Sequence, residues 1–414
     1  MKRRRFTHFL IKKIGKRNAR YVFDFRAYLT GFLVATFIGF LLSVYLNKTL
    51  IPEEMGRFSY LRSLSDMLFV LFTFNLYSNY LRFNINGVNK KLYNIIKKIN
   101  IIAFILSASI IFYVSKSPLA PLYAFFIVYQ ERMYLFRSTM KMGALNIVRI
   151  VTIVTTLLLT ILLGQFGLLD ANVVLASYGF GYLITFFIPK NIKYEQGSER
   201  TPTKSIMKFA LPLYATTLLT AFQTYITQFL LKSRYDYETL ANFAVAQRSL
   251  LILSVFTSML IMFYPSIYYR EIQIKHISVI NKIRFSITVT VLILTLLFVF
   301  FREYVYQFMG ASAYLKTVNI FMILIIAQTI MVITNFWSNF ISYSLKTYIT
   351  MVVSAITVLI NISLVFILTR YWGLVGAAYA ILIANSFYCI AMTYIALRDE
   401  RHYLLSNNTI EIKK

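Results

Sequence analysis

The sequence predicts an all-α polytopic membrane protein of about twelve transmembrane helices in two six-helix lobes, with both termini cytoplasmic. Three observations predict it. Of 414 residues, 58% are hydrophobic and only 14% are charged, against roughly 25% charged and about 45–50% apolar in soluble chains. The apolar residues gather into runs close to the roughly 20 residues that one helix needs to cross the hydrocarbon core. The cations lie between the runs, dense in one gap and sparse in the next, as loops on opposite sides of a membrane do.

The runs fall at roughly 27–46, 61–81, 99–115, 119–140, 144–165, 171–189, 206–231, 239–268, 285–301, 317–343, 347–369 and 373–397. The basic opening Lys2-Arg3-Arg4-Arg5 has the charge of a signal-peptide n-region, but the first run starts only near Tyr28 and shows no small-residue cleavage site. A retained first helix is expected. Lys2, Arg3, Arg4, Arg5, Lys12, Lys13, Lys16, Arg17, Arg20 and Arg26 precede it. The next gap balances Lys48 and Arg57 with Glu53 and Glu54, and the one after holds Arg82, Lys90, Lys91, Lys97 and Lys98. Lys116 stands alone in the third. Cations return at Lys190, Lys193, Arg200, Lys204 and Lys208, and again at Arg270, Lys275, Lys282 and Arg284. The last three spans carry few loop charges and are placed by counting.

The organisation expected is a basic cytoplasmic segment at 1–26, an N-lobe at 27–193, a cytoplasmic linker at 194–205, a C-lobe at 206–397 and a cytoplasmic tail at 398–414. The linker is the polar, turn-forming stretch Tyr194-Glu195-Gln196-Gly197-Ser198-Glu199-Arg200-Thr201-Pro202. Weak similarity joins the halves. Met55-Gly56-Arg57-Phe58-Ser59 matches Leu240-Ala241-Asn242-Phe243-Ala244, and Gly167-Leu168-Leu169-Asp170-Ala171 matches Gly373-Leu374-Val375-Gly376-Ala377. With six helices per half, the copies form a parallel repeat about an axis along the membrane normal, with a cleft between lobes.

Several function classes drop out. The net charge of +28 is spread over inter-span loops, so no nucleic-acid partner is expected. Cys389 has no second cysteine, and His8, His276 and His402 are scattered, so neither a disulfide nor a metal set is expected. There is no phosphate-binding glycine loop and no nucleophile elbow, so no cofactor and no catalytic centre are expected.

Charges inside spans are costly, and their default reading is functional. Here they are Arg62, Asp66, Glu131, Arg132, Arg149 and Arg248. Arg62 and Asp66 are four apart and share a helix face. Glu131 and Arg132 are adjacent and point about 100° apart. Arg149 starts its span, within reach of the cytoplasmic surface. Arg248 lies about ten residues inside the outer end of its span, roughly 15 Å deep at about 1.5 Å per residue. Arg62, Arg248, Arg132 and Arg149 are the candidate substrate-binding residues of a central cationic cleft, suited to an anionic ligand because guanidinium matches phosphate geometry. Asp66 and Glu131 are the candidates for proton or sodium coupling. Tyr77, Tyr80, Tyr225 and Tyr264 are read mainly as packing, with stacking on sugars as the alternative.

Four stretches carry a resemblance to a known family: Pro52-Glu53-Glu54-Met55-Gly56-Arg57-Phe58-Ser59, Ala210-Leu211-Pro212-Leu213 at the opening of the seventh span, Tyr264-Pro265-Ser266-Ile267-Tyr268 at the end of the eighth, and Asn361-Ile362-Ser363-Leu364 through Tyr371-Trp372-Gly373-Leu374-Val375-Gly376-Ala377-Ala378-Tyr379-Ala380. They resemble the Wzx-type O-antigen and polysaccharide flippases of the MATE-like MOP exporter superfamily. Thr224-Tyr225-Ile226-Thr227-Gln228 departs from that pattern, because many relatives carry a charged pair there. The resemblance implies alternating access and flipping of an undecaprenyl-diphosphate-linked oligosaccharide from the cytoplasmic to the periplasmic leaflet of the bacterial plasma membrane. The lipid bilayer, a polysaccharide polymerase and a chain-length regulator are the further partners it implies. The rival readings are a cation-coupled multidrug or metabolite exporter of the same fold, a scaffold for polysaccharide assembly, and a membrane-embedded polymerase or ligase. Asp170, Asp236 and Glu303 are the chief acids open to the polymerase or ligase.

Overall fold

Backbone amides in a bilayer must bond within their own segment, which leaves a chain this apolar with helices. The computed structural model describes residues 16–84, 87–190, 194, 203–344 and 346–411, and these are nearly all helical. Residues 1–15 of the basic segment and 195–202 of the linker lie outside the described residues. The long helices are α1 Lys16–Thr49, α2 Pro52–Thr73, α3 Lys90–Ser115, α4 Phe126–Ser138, α5 Met142–Gln165, α6 Ala171–Ile184, α7 Thr203–Arg234, α8 Tyr237–Ser249, α9 Leu251–Gln273, α10 Ile277–Phe300, α11 Val318–Trp337 and α12 Thr347–Glu411. α8 and α9 follow one another across Leu250, which keeps right-handed helical torsions, and together they cover the run expected at 239–268.

Among the described residues, seven helical stretches are long and apolar enough to cross a membrane. Two of the spans missing from that count have visible reasons. α2 carries Glu53, Glu54, Arg57, Arg62 and Asp66, so its composition hides it. α12 counts once although its 65 residues join two helices across a kink; straight, they would reach roughly 100 Å at about 1.5 Å per residue. It turns instead at Gly373, where φ is 57° and ψ is −138°, a conformation that a side chain disfavours. A Cβ on Gly376 would collide with the Leu368 carbonyl oxygen. Two glycines thus close the turn between the runs expected at 347–369 and 373–397.

Contacts divide the chain into two compact units. The first joins residues 1–42 and 75–210. Leu76, Tyr80, Leu92, Ile96 and Leu135 are buried in its core. α5 and α6 approach closely along a line of threonines: Thr156 and Thr160 donate to the carbonyls of Thr152 and Thr156 at 2.9 and 2.7 Å. Facing them, a Cβ on Gly181 would sit 2.6 Å from the Thr152 carbonyl. Small residues and hydroxyls bonded to their own helix let backbones meet where no hydrophobic force drives helices together.

The second unit joins residues 43–74 and 211–414. Tyr264, Tyr268, Ile280, Val332 and Phe336 lie in its core. α2 packs on the start of α8 at Gly56, where a Cβ would collide with the Tyr237 carbonyl oxygen and stand 3.1 Å from the Ala241 amide.

Pro212 and Pro265, within the runs expected at 206–231 and 239–268, lie inside α7 and α9. Arg284, read as a loop cation, lies inside α10, because the helix starts before the apolar run does. The segment after 397 continues as helix to Glu411.

Gly56→Leu is expected to force α2 from α8 and cost about 1–3 kcal/mol, the usual range for overpacking. Gly143→Ala, where a Cβ meets nothing within 4 Å, is expected to be neutral or slightly stabilising. Thermal unfolding of the two variants in detergent checks both; equal melting temperatures would contradict the close α2–α8 contact.

Candidate functional site

Residues three and four apart on a helix share a face. On α2 these are Ser59, Arg62, Ser63 and Asp66; on α8 and its continuation they are Ala244, Gln247, Arg248 and Leu251. All eight line one cavity of about 480 Å³, with Thr224 and Gln228 from α7 and Gln328 from α11. The correspondence is the one already seen in the halves of the sequence. Extending the match of Met55 with Leu240 pairs Ser59 with Ala244, Arg62 with Gln247, Ser63 with Arg248 and Asp66 with Leu251. Buried positions correspond too: Met55 with Leu240, and Phe58 with Phe243.

Two guanidiniums and one carboxylate charge this cavity. Arg62 Nε lies 4.0 Å from Asp66 Oδ2, and both side chains are more than a third exposed. Arg248 Nη1 lies 3.1 Å from Met55 Sδ, and its guanidinium stands 5.0 Å from the Phe58 ring centre. Gln228 is buried, and its Oε1 accepts from Ser59 Oγ at 3.3 Å and Ser63 Oγ at 3.1 Å. α7 therefore supplies neutral polar groups where many relatives of the resembled family carry charge. The cavity presents cations, an acid and hydroxyls, a set that suits an anion with several acceptor oxygens.

The other three expected charges have partners of their own in the first unit. Arg132 is buried and donates to the carbonyls of Phe186, at 2.8 Å, and Ile188, so it satisfies the open carbonyl end that follows α6. Arg149 Nη2 donates to the Tyr28 hydroxyl at 2.9 Å and covers that ring at 4.4 Å. Glu131 is buried and accepts from Asn100 at 3.0 Å and Lys190 at 2.7 Å. Among the tyrosines, Tyr77 stacks on Tyr134, Tyr225 lies against Tyr60, and Tyr80 and Tyr264 are buried.

Sequence reasoning missed the most buried ion pair described. Arg284 is fully buried. Its Nη2 and Nη1 meet the Glu400 carboxylate at 2.9 and 3.4 Å, and its Nε donates to the Tyr264 hydroxyl at 3.1 Å. The rings of Tyr268 and Trp337 flank the guanidinium at 5.1 and 5.4 Å. A signal was present: Ile280, Arg284, Ile287 and Val291 recur at helical spacing, which puts Arg284 on an apolar face. Two of the acids open to a polymerase have local duties. Asp170 caps α6 by accepting from the Val173 amide at 2.7 Å. Asp236 caps α8 by accepting from the Thr239 amide at 2.7 Å, and its bonds to Thr239 hold its carboxyl below the usual carboxylate range.

Comparison with known proteins adds the fold. No family model matches the chain, and no curated protein matches it in sequence. Solved structures do. An inward-facing multidrug-resistance MATE transporter of the MOP superfamily superposes with a TM-score of 0.65 at 11% identity, over 89% of this chain and 95% of its own. The lipid II flippase MurJ in an inward closed conformation gives 0.65 at 15% identity, over 89% and 86%. A point mutant of the Vibrio cholerae MATE transporter VcmN gives 0.59 at 14% identity, over 97% and 98%. The chain has the fold that MATE transporters share with MurJ. It is a multi-pass membrane protein, and about twelve helices fit that fold.

Glu400→Ala is expected to leave Arg284 buried without a counterion and to cost about 3–5 kcal/mol, whereas Arg284→Met with Glu400→Met is expected to stay near wild type. Melting temperatures of the purified protein check this. A single variant as stable as wild type would show that the pair does not hold α12 to α10.

Proposed function

We propose that the chain is a flippase that moves an undecaprenyl-diphosphate-linked oligosaccharide, an O-antigen or capsular repeat unit, across the bacterial plasma membrane. The observation that carries this reading is the pairing of Arg62 with Arg248 around one cavity of about 480 Å³, a volume within the usual range for small-ligand sites. Two guanidiniums match a diphosphate, which offers bidentate acceptor geometry on each phosphoryl group. The fold likeness to the lipid II flippase MurJ and the resemblance to Wzx-type flippases both support a lipid-linked substrate.

In this reading Arg248 and Arg62 hold the diphosphate while the saccharide crosses a wet cleft and the polyprenyl tail stays in lipid. Two six-helix lobes with cytoplasmic termini alternate access to it. A proton or sodium ion is the coupling species, and Asp66 is the acid for it. Asp66 lies at ion-pair distance from Arg62, so neutralising Asp66 releases Arg62 toward phosphate. Glu131 is less suited, since Lys190 and Asn100 already hold it. A polymerase and a chain-length regulator receive the product.

The likeness to a multidrug-resistance MATE transporter favours a second reading, export of organic cations, with Asp66 as their counterion. One experiment separates the two. In a deletion strain, complete unpolymerised lipid-linked repeat units are expected to accumulate on the cytoplasmic face, and the wild-type gene is expected to clear them. Arg248→Glu is expected to insert normally yet transport about 100-fold more slowly, the scale set by loss of a charge-assisted contact to the substrate. Unchanged lipids with altered drug sensitivity favour the exporter, and full activity of Arg248→Glu removes its assigned role.

A further inference from the structure

The cavity that holds Arg62 and Arg248 is also lined by three glutamines from three helices: Gln228 of α7, Gln247 of α8 and Gln328 of α11. Gln328 stands midway along a helix of 20 residues, at the depth where a polar side chain is costliest. Gln247 directly precedes Arg248 on α8 and shares its depth.

Amides at such depth usually bond across to a neighbouring helix. Gln228 does so, through Ser59 and Ser63 of α2 at 3.3 and 3.1 Å. Thr329, beside Gln328, is satisfied by its own helix, since its hydroxyl donates to the Ile325 carbonyl at 2.9 Å. Gln247 and Gln328 differ from both. Neither side-chain amide has a hydrogen-bond partner among the described residues, and both residues are partly exposed, on the wall of this cavity. A primary amide left unpaired away from bulk water costs free energy. Two of them on one cavity are groups that a ligand would satisfy.

Their chemistry narrows the ligand. Guanidiniums donate hydrogen bonds and accept none, so Arg62 and Arg248 account for a diphosphate. They do not account for two amides, each with two donors and a carbonyl acceptor. Another amide uses both kinds of group. A trans secondary amide points its N–H and its C=O in opposite directions, so a single side chain does not reach both ends, whereas two side chains on different helices do. The acetamido substituent of an amino sugar is such a group, and it sits on the carbon beside the one that carries the diphosphate. A hydroxyl at that carbon would leave one of the two glutamines unpaired. The cavity, about 480 Å³, is in the range that encloses a whole small ligand, which leaves room for a sugar ring beside the phosphates.

We propose that Gln247 and Gln328 recognise the acetamido group of the sugar attached to the diphosphate, so that the cavity selects lipid-linked chains beginning with an N-acetylated amino sugar over chains beginning with a plain hexose. This rests on the flippase reading above. A site built to hydrogen-bond one substituent rejects the analogue that lacks it, because its own polar groups then stay unpaired.

The test uses the full-length protein in lipid nanodiscs and three probes: bare polyprenyl diphosphate, the same carrier bearing N-acetylglucosamine, and the same carrier bearing glucose. The N-acetylglucosamine probe is expected to bind the wild type about tenfold more tightly than the glucose probe. Gln247→Met with Gln328→Met, which keeps the length of both side chains and removes both amides, is expected to bring that ratio to about one. Each single variant is expected to lower the ratio part of the way. Equal binding of the two sugar probes to the wild type, or tighter binding of the glucose probe, overturns the proposal while leaving the flippase reading intact. A double variant that keeps the tenfold ratio overturns the role of the two glutamines. Failure of all three probes to bind the wild type overturns the lipid-linked substrate, and the proposal with it.

Discussion

An ion taken out of water needs a partner, and this requirement sorts the charges of the chain. A single carboxylate or guanidinium left uncompensated in a low-dielectric interior costs several kcal/mol. Arg284 meets the requirement with Glu400, Glu131 with Lys190, and Arg132 with the carbonyls of Phe186 and Ile188. Each of these bonds two segments that are distant in sequence, and each serves the fold. Arg62, Asp66 and Arg248 stand instead at the wall of a cavity, where the contacts they make within the protein leave room for a ligand beside them. The same rule that makes an intramembrane charge rare thus separates those that hold helices together from those that line a cavity.

The cavity forms where α2 packs closely on α8, two helices whose buried and cavity-lining positions fall in the same register. Gly56 lets the backbones touch at Tyr237 and Ala241, and Phe58 and Phe243 are buried at matching positions. With the backbones fixed in that way, the four positions facing inward on each helix are set by geometry alone, and the side chains there are free to differ. They differ in charge: Arg62 opposite Gln247 in the register, Ser63 opposite Arg248, Asp66 opposite Leu251. The close backbone contact supplies the frame and the differing side chains supply the polarity.

Much of the fold was legible in composition and in the spacing of apolar runs, because lipid imposes one length and one kind of segment. Helix ends were less legible. Hydropathy breaks a run at the first charge, so Arg284 read as a loop although Ile280, Ile287 and Val291 continue its face. Pro212 and Pro265 fell inside expected runs, and both helices do pass through them. At the site, Arg62 and Asp66 were legible as one face because four residues make one turn, and depth singled out Arg248. That Arg132 and Arg149 bond to Ile188 and Tyr28 was not legible. Those partners come from other segments, and no spacing rule reaches across 56 or 121 residues.

The composition of the cavity also bears on how tightly it would hold an anion. Two guanidiniums with no acid nearby would bind a diphosphate strongly and release it slowly, and a transporter gains nothing from a site it cannot empty. Asp66, at 4.0 Å from Arg62, competes with phosphate for the same cation. Both groups are more than a third exposed, so their attraction is that of a solvated pair, on the order of 1 kcal/mol or less. A competitor of that strength weakens binding by up to about fivefold without abolishing it. In such a site the affinity is set by the balance between an internal carboxylate and an external phosphate, and a change in the charge of Asp66 moves that balance.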